Sequence, residues 1–236
     1  MLSVIIPTLN DAAGLSRTLA AVFPGMADGL VRQVIVVDGG STDGTRVCAE
    51  AAGVEWLQTQ PGRGRQMQAG AEAARHPWVL FLHPGIDLDE GWQREAAHFI
   101  ATVEAPVEAT LDARADQPAV ASFRFAIEAA GIGPRLTEAT ISTWRKAFRR
   151  PFGEQGLLIQ RTLYDRTGGH QNLPGREDLA LLRRLRRSQR VILRSRAVID
   201  AASYQKGGYL LRAAYDVFGN GSHLAQAPTA TRLTNA

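Results

Sequence analysis

Short apolar runs alternate with amphipathic stretches through the first hundred residues. SVIIP at 3–7, QVIVVD at 33–38, VEWLQ at 54–58 and WVLFLH at 78–83 each read as a buried strand. Between them, 12–23 places Leu15, Leu19, Val22 and Phe23 at helical spacing, and 45–52, 65–75 and 90–103 also read as helices. Continuous apolar strands separated by helices predict a parallel sheet covered on both faces. The regularity breaks after residue 103. A longer strand is expected at 119–129, a helix with Trp144 and Phe148 at 135–149, and a short strand at 157–160. A helix at 177–187, a strand at 190–199 and a helix near 208–218 follow, and 221–236 reads as a tail. The expected fold is α/β, one domain over 1–220, in two halves at 1–103 and 104–220.

Composition narrows the class. The chain has 236 residues, of which 45% are hydrophobic and 21% charged, which is ordinary globular usage and excludes wholesale disorder. The single cysteine, Cys48, excludes an internal disulfide framework and a cysteine zinc site, and reads as a small buried hydrophobe. No basic leader and no run of about 18 apolar residues is visible, so the expected location is cytoplasmic. Charge is divided unevenly. Residues 1–121 carry 15 acids against 8 bases, and 122–236 carry 19 bases against 8 acids. Either this is a solvated basic helix around RRLRR at 183–187, or the second half faces an anion such as a diphosphate, a membrane surface or nucleic acid.

Absent motifs remove several chemistries. PTLND follows the first strand where a dinucleotide fold would place G-x-G-x-x-G. Neither lysine follows a glycine, so there is no Walker phosphate loop, and none of the five histidines forms H-E-x-x-H. What is present is PTLND at 7–11 and VVDGGSTDGT at 36–45, both at strand ends on one sheet edge, where open α/β sheets bind ligands. Alone, the second segment is also compatible with a tight capped turn, with Ser41 or Asp43 as the cap.

In order and spacing, these two segments resemble glycosyltransferase family 2, of GT-A fold. PGRGRQMQAG at 61–70, FGEQGLLIQRTLYDRTGG at 152–169 and LPGREDLALLRRLRR at 173–187 resemble segments of a bacterial subgroup linked to arsenosugar biosynthesis. The resemblance covers about 2–199. It implies a mainly parallel GT-A sheet flanked by helices, and inverting transfer of a sugar from a UDP- or GDP-type nucleotide donor to an unknown acceptor. It places the nucleotide on Pro7, Thr8, Asn10, Asp38 and Gly40, and assigns the basic third loop to Arg63 and Arg65. Asp178 of the E-D pair is the implied catalytic base, with Glu177 or Glu154 next in line. The chain also departs from the family. The D-x-D element that holds Mg²⁺ or Mn²⁺ falls on His83 and Gly85, so no metal ligand is assigned and metal dependence is expected to be weak or absent. Asp87 and Asp89 form a D-x-D further along and read as cap and first-turn acids of the 90–103 helix. After the last core strand, Lys206 is the only nearby cation.

Three alternatives stand beside transfer: a degenerate member that binds nucleotide or partners without turnover, a nucleotidyltransferase suggested by GTR at 44–46, and, last, a nucleic-acid binder. The stripe Leu210, Leu211, Ala214 and Phe218 reads as core packing, or as a peripheral contact with the inner face of the membrane, or as a homodimer surface.

Overall fold

The computed structural model describes residues 1–105, 119–129, 134–135, 138–139, 155–173 and 177–200. The helix expected at 135–149, Glu154, Lys206, the 208–218 stripe and the tail lie outside the described residues or almost wholly so.

The elements run β1 (Leu2–Thr8), α1 (Ala12–Ala27), β2 (Val31–Asp38), α2 (Thr45–Ala51), β3 (Glu55–Gln58), α3 (Arg63–Ala73), β4 (Trp78–Phe81), β5 (Asp87–Leu88) and α4 (Trp92–Glu104). After these come β6 (Val120–Glu128), β7 (Leu157–Gln160), α5 (Arg161–Arg166), α6 (Glu177–Arg183) and β8 (Arg190–Asp200). The eight strands form one sheet in the order β3-β2-β1-β4-β7-β6-β8-β5. Strands β1 to β4 pair parallel, whereas β7 runs antiparallel to β4 and to β6, and β5 antiparallel to β8. The sheet is therefore mixed, with parallel pairing throughout β1 to β4 and again between β6 and β8.

Alternation along each strand divides the core between the two faces. Leu2, Val4, Ile6, Val34 and Val36 pack with Leu15 and Val22 of α1 and with Trp92, Ala96 and Phe99 of α4. Ile5, Ile35, Val37, Val79 and Phe81 pack with Met67 and Ala71 of α3, Tyr164 of α5 and Leu181 of α6. Both faces are dry, which is why these strands read as unbroken apolar runs. Gly70 permits the close approach of α3, because a Cβ there would lie 2.4 Å from Ile5 Cγ2. Cys48 is partly buried against the first of these clusters, as a small hydrophobe.

Two elements correct the sequence reading. Asp87 and Leu88 form a strand, with Asp87 opposite Val198 and Leu88 opposite Ala197. Asp87 and Asp89 therefore are not helix caps; the cap of α4 is Gly91, at φ +83, with no side-chain cap bond. The Asp89 carboxylate is taken instead by Arg196, from its backbone N–H at 2.9 Å and from Nε at 2.9 Å. The helix Arg161–Arg166 is a second addition; its six residues are too few to show a helical period.

Candidate functional site

The two strand-end segments are fastened to each other. Thr8 and Asp38 are register partners at the ends of β1 and β2. Gln66 of α3 donates to the carbonyls of Thr8 at 2.7 Å and Val37 at 2.8 Å, in a buried position, and so fixes both strand ends. Asn10 has φ 50, in the left-handed region that Asn tolerates better than most residues. Its carboxamide oxygen accepts Thr42 N–H at 2.7 Å, and its own N–H donates to Ser41 Oγ at 2.8 Å. Asp43 accepts from Ala12 N–H and from Thr45, and the Thr45 hydroxyl holds its carboxyl below the usual range. Asp11 caps α1, accepting Gly14 N–H at 2.9 Å.

The expected nucleotide residues take different places in this arrangement. Asp38 is 1% exposed, and its carboxylate is engaged within its own loop, accepting Gly40 and Ser41 N–H at 2.8 Å each and the Ser41 hydroxyl. Pro7 and Thr8 are buried within β1. Asn10 and Gly40 are exposed at the sheet edge, and Gly40 has open space around it at φ +101. Arg65 turns outward to Gln60 at 2.7 Å, whereas Arg63 faces a cleft.

That cleft has a volume of about 490 Å³ and lies between the start of α1, the start of α3, the β4–β5 turn and the end of β8. Its lining includes Asp11, Arg17, Arg63, His83, Gly85 and Asp200. Arg17 is also paired with Glu128. The turn is tethered to α1, since Gly85 N–H donates to the Gly14 carbonyl at 2.9 Å and the Thr18 hydroxyl donates to the Ile86 carbonyl at 2.9 Å.

Glu177 and Asp178 open α6 as buried acids, 2% and 7% exposed. Arg63 lies 2.9 Å from Glu177 and 3.8 Å from Asp178 Oδ2. His170 Nε2 is 3.0 Å from Asp178 Oδ1, and His83 Nε2 is 3.9 Å from Oδ2. The buried Tyr164 hydroxyl accepts His170 N–H at 2.9 Å and lies 3.0 Å from His170 Nδ1 and 3.1 Å from Gln68 Oε1. Burial alone would raise the Asp178 pKa. The His170 hydrogen bond, the nearby His83 imidazole and the charge of Arg63 outweigh burial and hold the carboxyl well below the ordinary range. Burial pushes the Tyr164 hydroxyl upward, so it stays protonated.

The structure thus brings Arg63 and Asp178 together and leaves Arg65 apart. Sequence reasoning misses His170, because its function depends on Tyr164 and Asp178 converging on one ring. Arg17 and Asp200 carry no motif of their own and are gathered only by the fold, beside Asp11, which ends the PTLND segment.

The residues at the D-x-D position do not fit a hard divalent cation. His83 offers nitrogen and Gly85, at φ +84, offers no side chain. Asp89 is engaged with Arg196, and among the described residues no three His, Cys, Asp or Glu side chains converge as a metal site.

The mixed sheet and its flanking helices define the fold class as α/β of GT-A type. Residues 3–85 of the chain match the model of glycosyl transferase family 2. It is 31% identical over 90 residues to glucosyl-3-phosphoglycerate synthase of Mycobacterium tuberculosis H37Rv, a match spanning 34% of this chain and 28% of that protein. It is 38% identical over 81 residues to glycosyltransferase AglJ of Haloferax volcanii, spanning 34% of this chain and 25% of that protein. The matched stretch is therefore only about a quarter of each of those relatives. In structure, it resembles the M. tuberculosis glucosyl-3-phosphoglycerate synthase solved with Mn²⁺, UDP-glucose and phosphoglyceric acid, with TM-score 0.53 and 21% identity over 81% of this chain and 68% of that chain. That likeness concerns the fold. Among the described residues no helix is long and apolar enough to cross a membrane.

Proposed function

We propose that the chain is an inverting glycosyltransferase that moves a sugar from a nucleoside-diphosphate donor, of UDP or GDP type, to a hydroxyl acceptor. The observation that carries this reading is the juxtaposition at one sheet edge. The two fastened strand-end loops of the family 2 stretch open beside a cleft lined by Arg63, with the ionised Asp178 directly behind it. The structural relative holding UDP-glucose supports a nucleotide-sugar donor and favours UDP as the first to test. In a single displacement, the acceptor hydroxyl loses its proton as the sugar C1–O bond breaks, and Asp178 is the carboxylate assigned to that proton transfer. Arg63 lies where a guanidinium can take phosphate oxygens of the departing diphosphate. Asn10, Asp38 and Gly40 shape the nucleotide loop, Asp38 by holding the backbone that meets the ligand.

Although the structural relative was solved with Mn²⁺, His83 and Gly85 offer no oxygen pair, so donor binding here depends weakly or not at all on a divalent ion. The same substitution favours a second reading, a member that binds nucleotide without turnover. Titration with UDP and GDP, then product analysis with UDP-glucose and GDP-mannose, separates the two: released nucleotide and transferred sugar support transfer, and binding without turnover supports the second reading. The peripheral-membrane or homodimer contact assigned to the 207–218 stretch, and with it a place at the inner membrane face, is tested by sizing and by anionic-vesicle flotation.

A further inference from the structure

Asp178 has a fixed end and an open end. At the fixed end, a carboxylate only accepts, so the His170 proton facing Oδ1 at 3.0 Å sits on Nε2, and Nδ1 lies 3.0 Å from the Tyr164 hydroxyl. The His170 ring is held from the side by Phe81, with ring centres 4.7 Å apart and planes at 81°. The open end is Oδ2, which faces His83 Nε2 at 3.9 Å and Arg63 at 3.8 Å. Both of those residues line the cleft, while Asp178 stands behind them at 7% exposure. A hydroxyl group entering the cleft meets the His83 imidazole before it meets the carboxylate.

We propose that His83 is the base of the transfer reaction, with Asp178 behind it as its partner carboxylate and His170 as the residue that positions that carboxylate. This rests on the glycosyl-transfer reading and deepens it. In the step, the acceptor O–H bond breaks and its proton goes to His83 Nδ1. The acceptor oxygen forms the bond to sugar C1, and the C1–O bond to the diphosphate breaks with its electron pair leaving on the diphosphate oxygen. His83 Nε2–H donates to Asp178 Oδ2, whose negative charge balances the imidazolium formed.

The chemistry favours this division of labour. A carboxylate held far below its usual range is a weak proton acceptor but a strong partner for a cation. Imidazole is the side chain that exchanges protons near neutrality. The loose 3.9 Å spacing suits a site without substrate, where catalytic hydrogen bonds are often long. The charged groups around the cleft are Asp178 from α6, Arg63 from α3, Arg17 from α1, Asp11 ahead of α1 and Asp200 at the end of β8.

The test uses the full chain with UDP-glucose and with GDP-mannose, water serving as acceptor, and reads nucleotide release. His83→Gln is expected to lower kcat about 100-fold or more, with KM for the donor within about three-fold of wild type. Wild-type kcat is expected to fall about tenfold per pH unit on the acid side of an inflection between about pH 5 and 8. In Asp178→Asn that inflection moves down, because the imidazolium loses its partner. The wild-type pH profile requires no variant, and His83→Asn provides a second substitution should His83→Gln not fold. A His83 variant within about three-fold of wild-type kcat overturns the inference. So does a flat wild-type profile across that range with Asp178→Asn inactive, which assigns the proton to Asp178 directly and leaves the transfer reading intact. Wild-type protein that binds UDP or GDP by calorimetry but releases nucleotide from neither donor overturns the transfer reading, and this inference with it.

Discussion

The Arg63 guanidinium lies 2.9 Å from the Glu177 carboxylate, joining the start of α3 to the start of α6 across 114 positions of chain. Glu177 has a side-chain exposure of 3%, and Arg63 also reaches toward Asp178. Arg63→Ala removes this cation from beside two buried carboxylates. The expected loss is about 3 kcal/mol of unfolding free energy, read from a denaturant midpoint that shifts at constant slope. Arg63→Lys recovers only part of it, because one ammonium does not reproduce the guanidinium fork.

Acid sensitivity should trace to Asp178. Its folded pKa lies below the unfolded value of about 3.9, so its stabilisation is fully present above that value and is lost as pH falls through the folded pKa. Denaturant midpoints measured from pH 7 down to pH 2.5 are expected to fall below about pH 4 in the wild type and to fall less in Asp178→Asn. Parallel curves for the two proteins would remove Asp178 as the source.

Asp38 is expected to act through its loop. Asp38→Ala leaves the Gly40 and Ser41 N–H groups without their acceptor, at a cost of about 1–3 kcal/mol, and weakens nucleoside-diphosphate binding as the loop loosens. Asp38→Asn, which keeps one acceptor oxygen, falls between. Calorimetric UDP affinity unchanged in a folded Asp38→Ala protein would end the assignment of this loop to the nucleotide.

Metal dependence has a direct measure. UDP affinity in EDTA and in millimolar Mn²⁺ is expected to differ by less than about tenfold, since His83 and Gly85 supply no oxygen ligands. A larger gain that disappears in Asp87→Ala would make Asp87 a ligand. A gain that survives both Asp87→Ala and Asp89→Ala would place the ion away from the β4–β5 turn altogether.

Much of the sheet was legible because β1, β2 and β4 are covered on both faces and read as unbroken apolar runs. The 87–88 strand was not, since two residues carry no period and Asp87 pairs with Val198 over a hundred positions later. Asp89 looked like a cap because acids commonly are, and only the fold shows that Arg196 takes its carboxylate. At the site, Arg63 and Asp178 were reached through motif resemblance. His83 was visible only as a missing carboxylate, and its nearness to Asp178 depends on how β4 and α6 meet. Tyr164 and His170 precede Asp178 by only 14 and 8 residues, yet nothing in their spacing announces that the three share one hydrogen-bonded chain.

The attachment of β5 to β8 also bears on protein engineering. For an exchange of halves with a related chain, residue 103 looks like the natural joint. A chimera cut there would separate Asp89 from Arg196, and Glu95 from the Arg194 and Ser195 N–H groups it accepts at 2.7 and 2.8 Å. The two halves are not interchangeable cassettes in this chain. A workable graft takes residues 84–104 and 190–200 from the same parent, and the crossover belongs before Pro84.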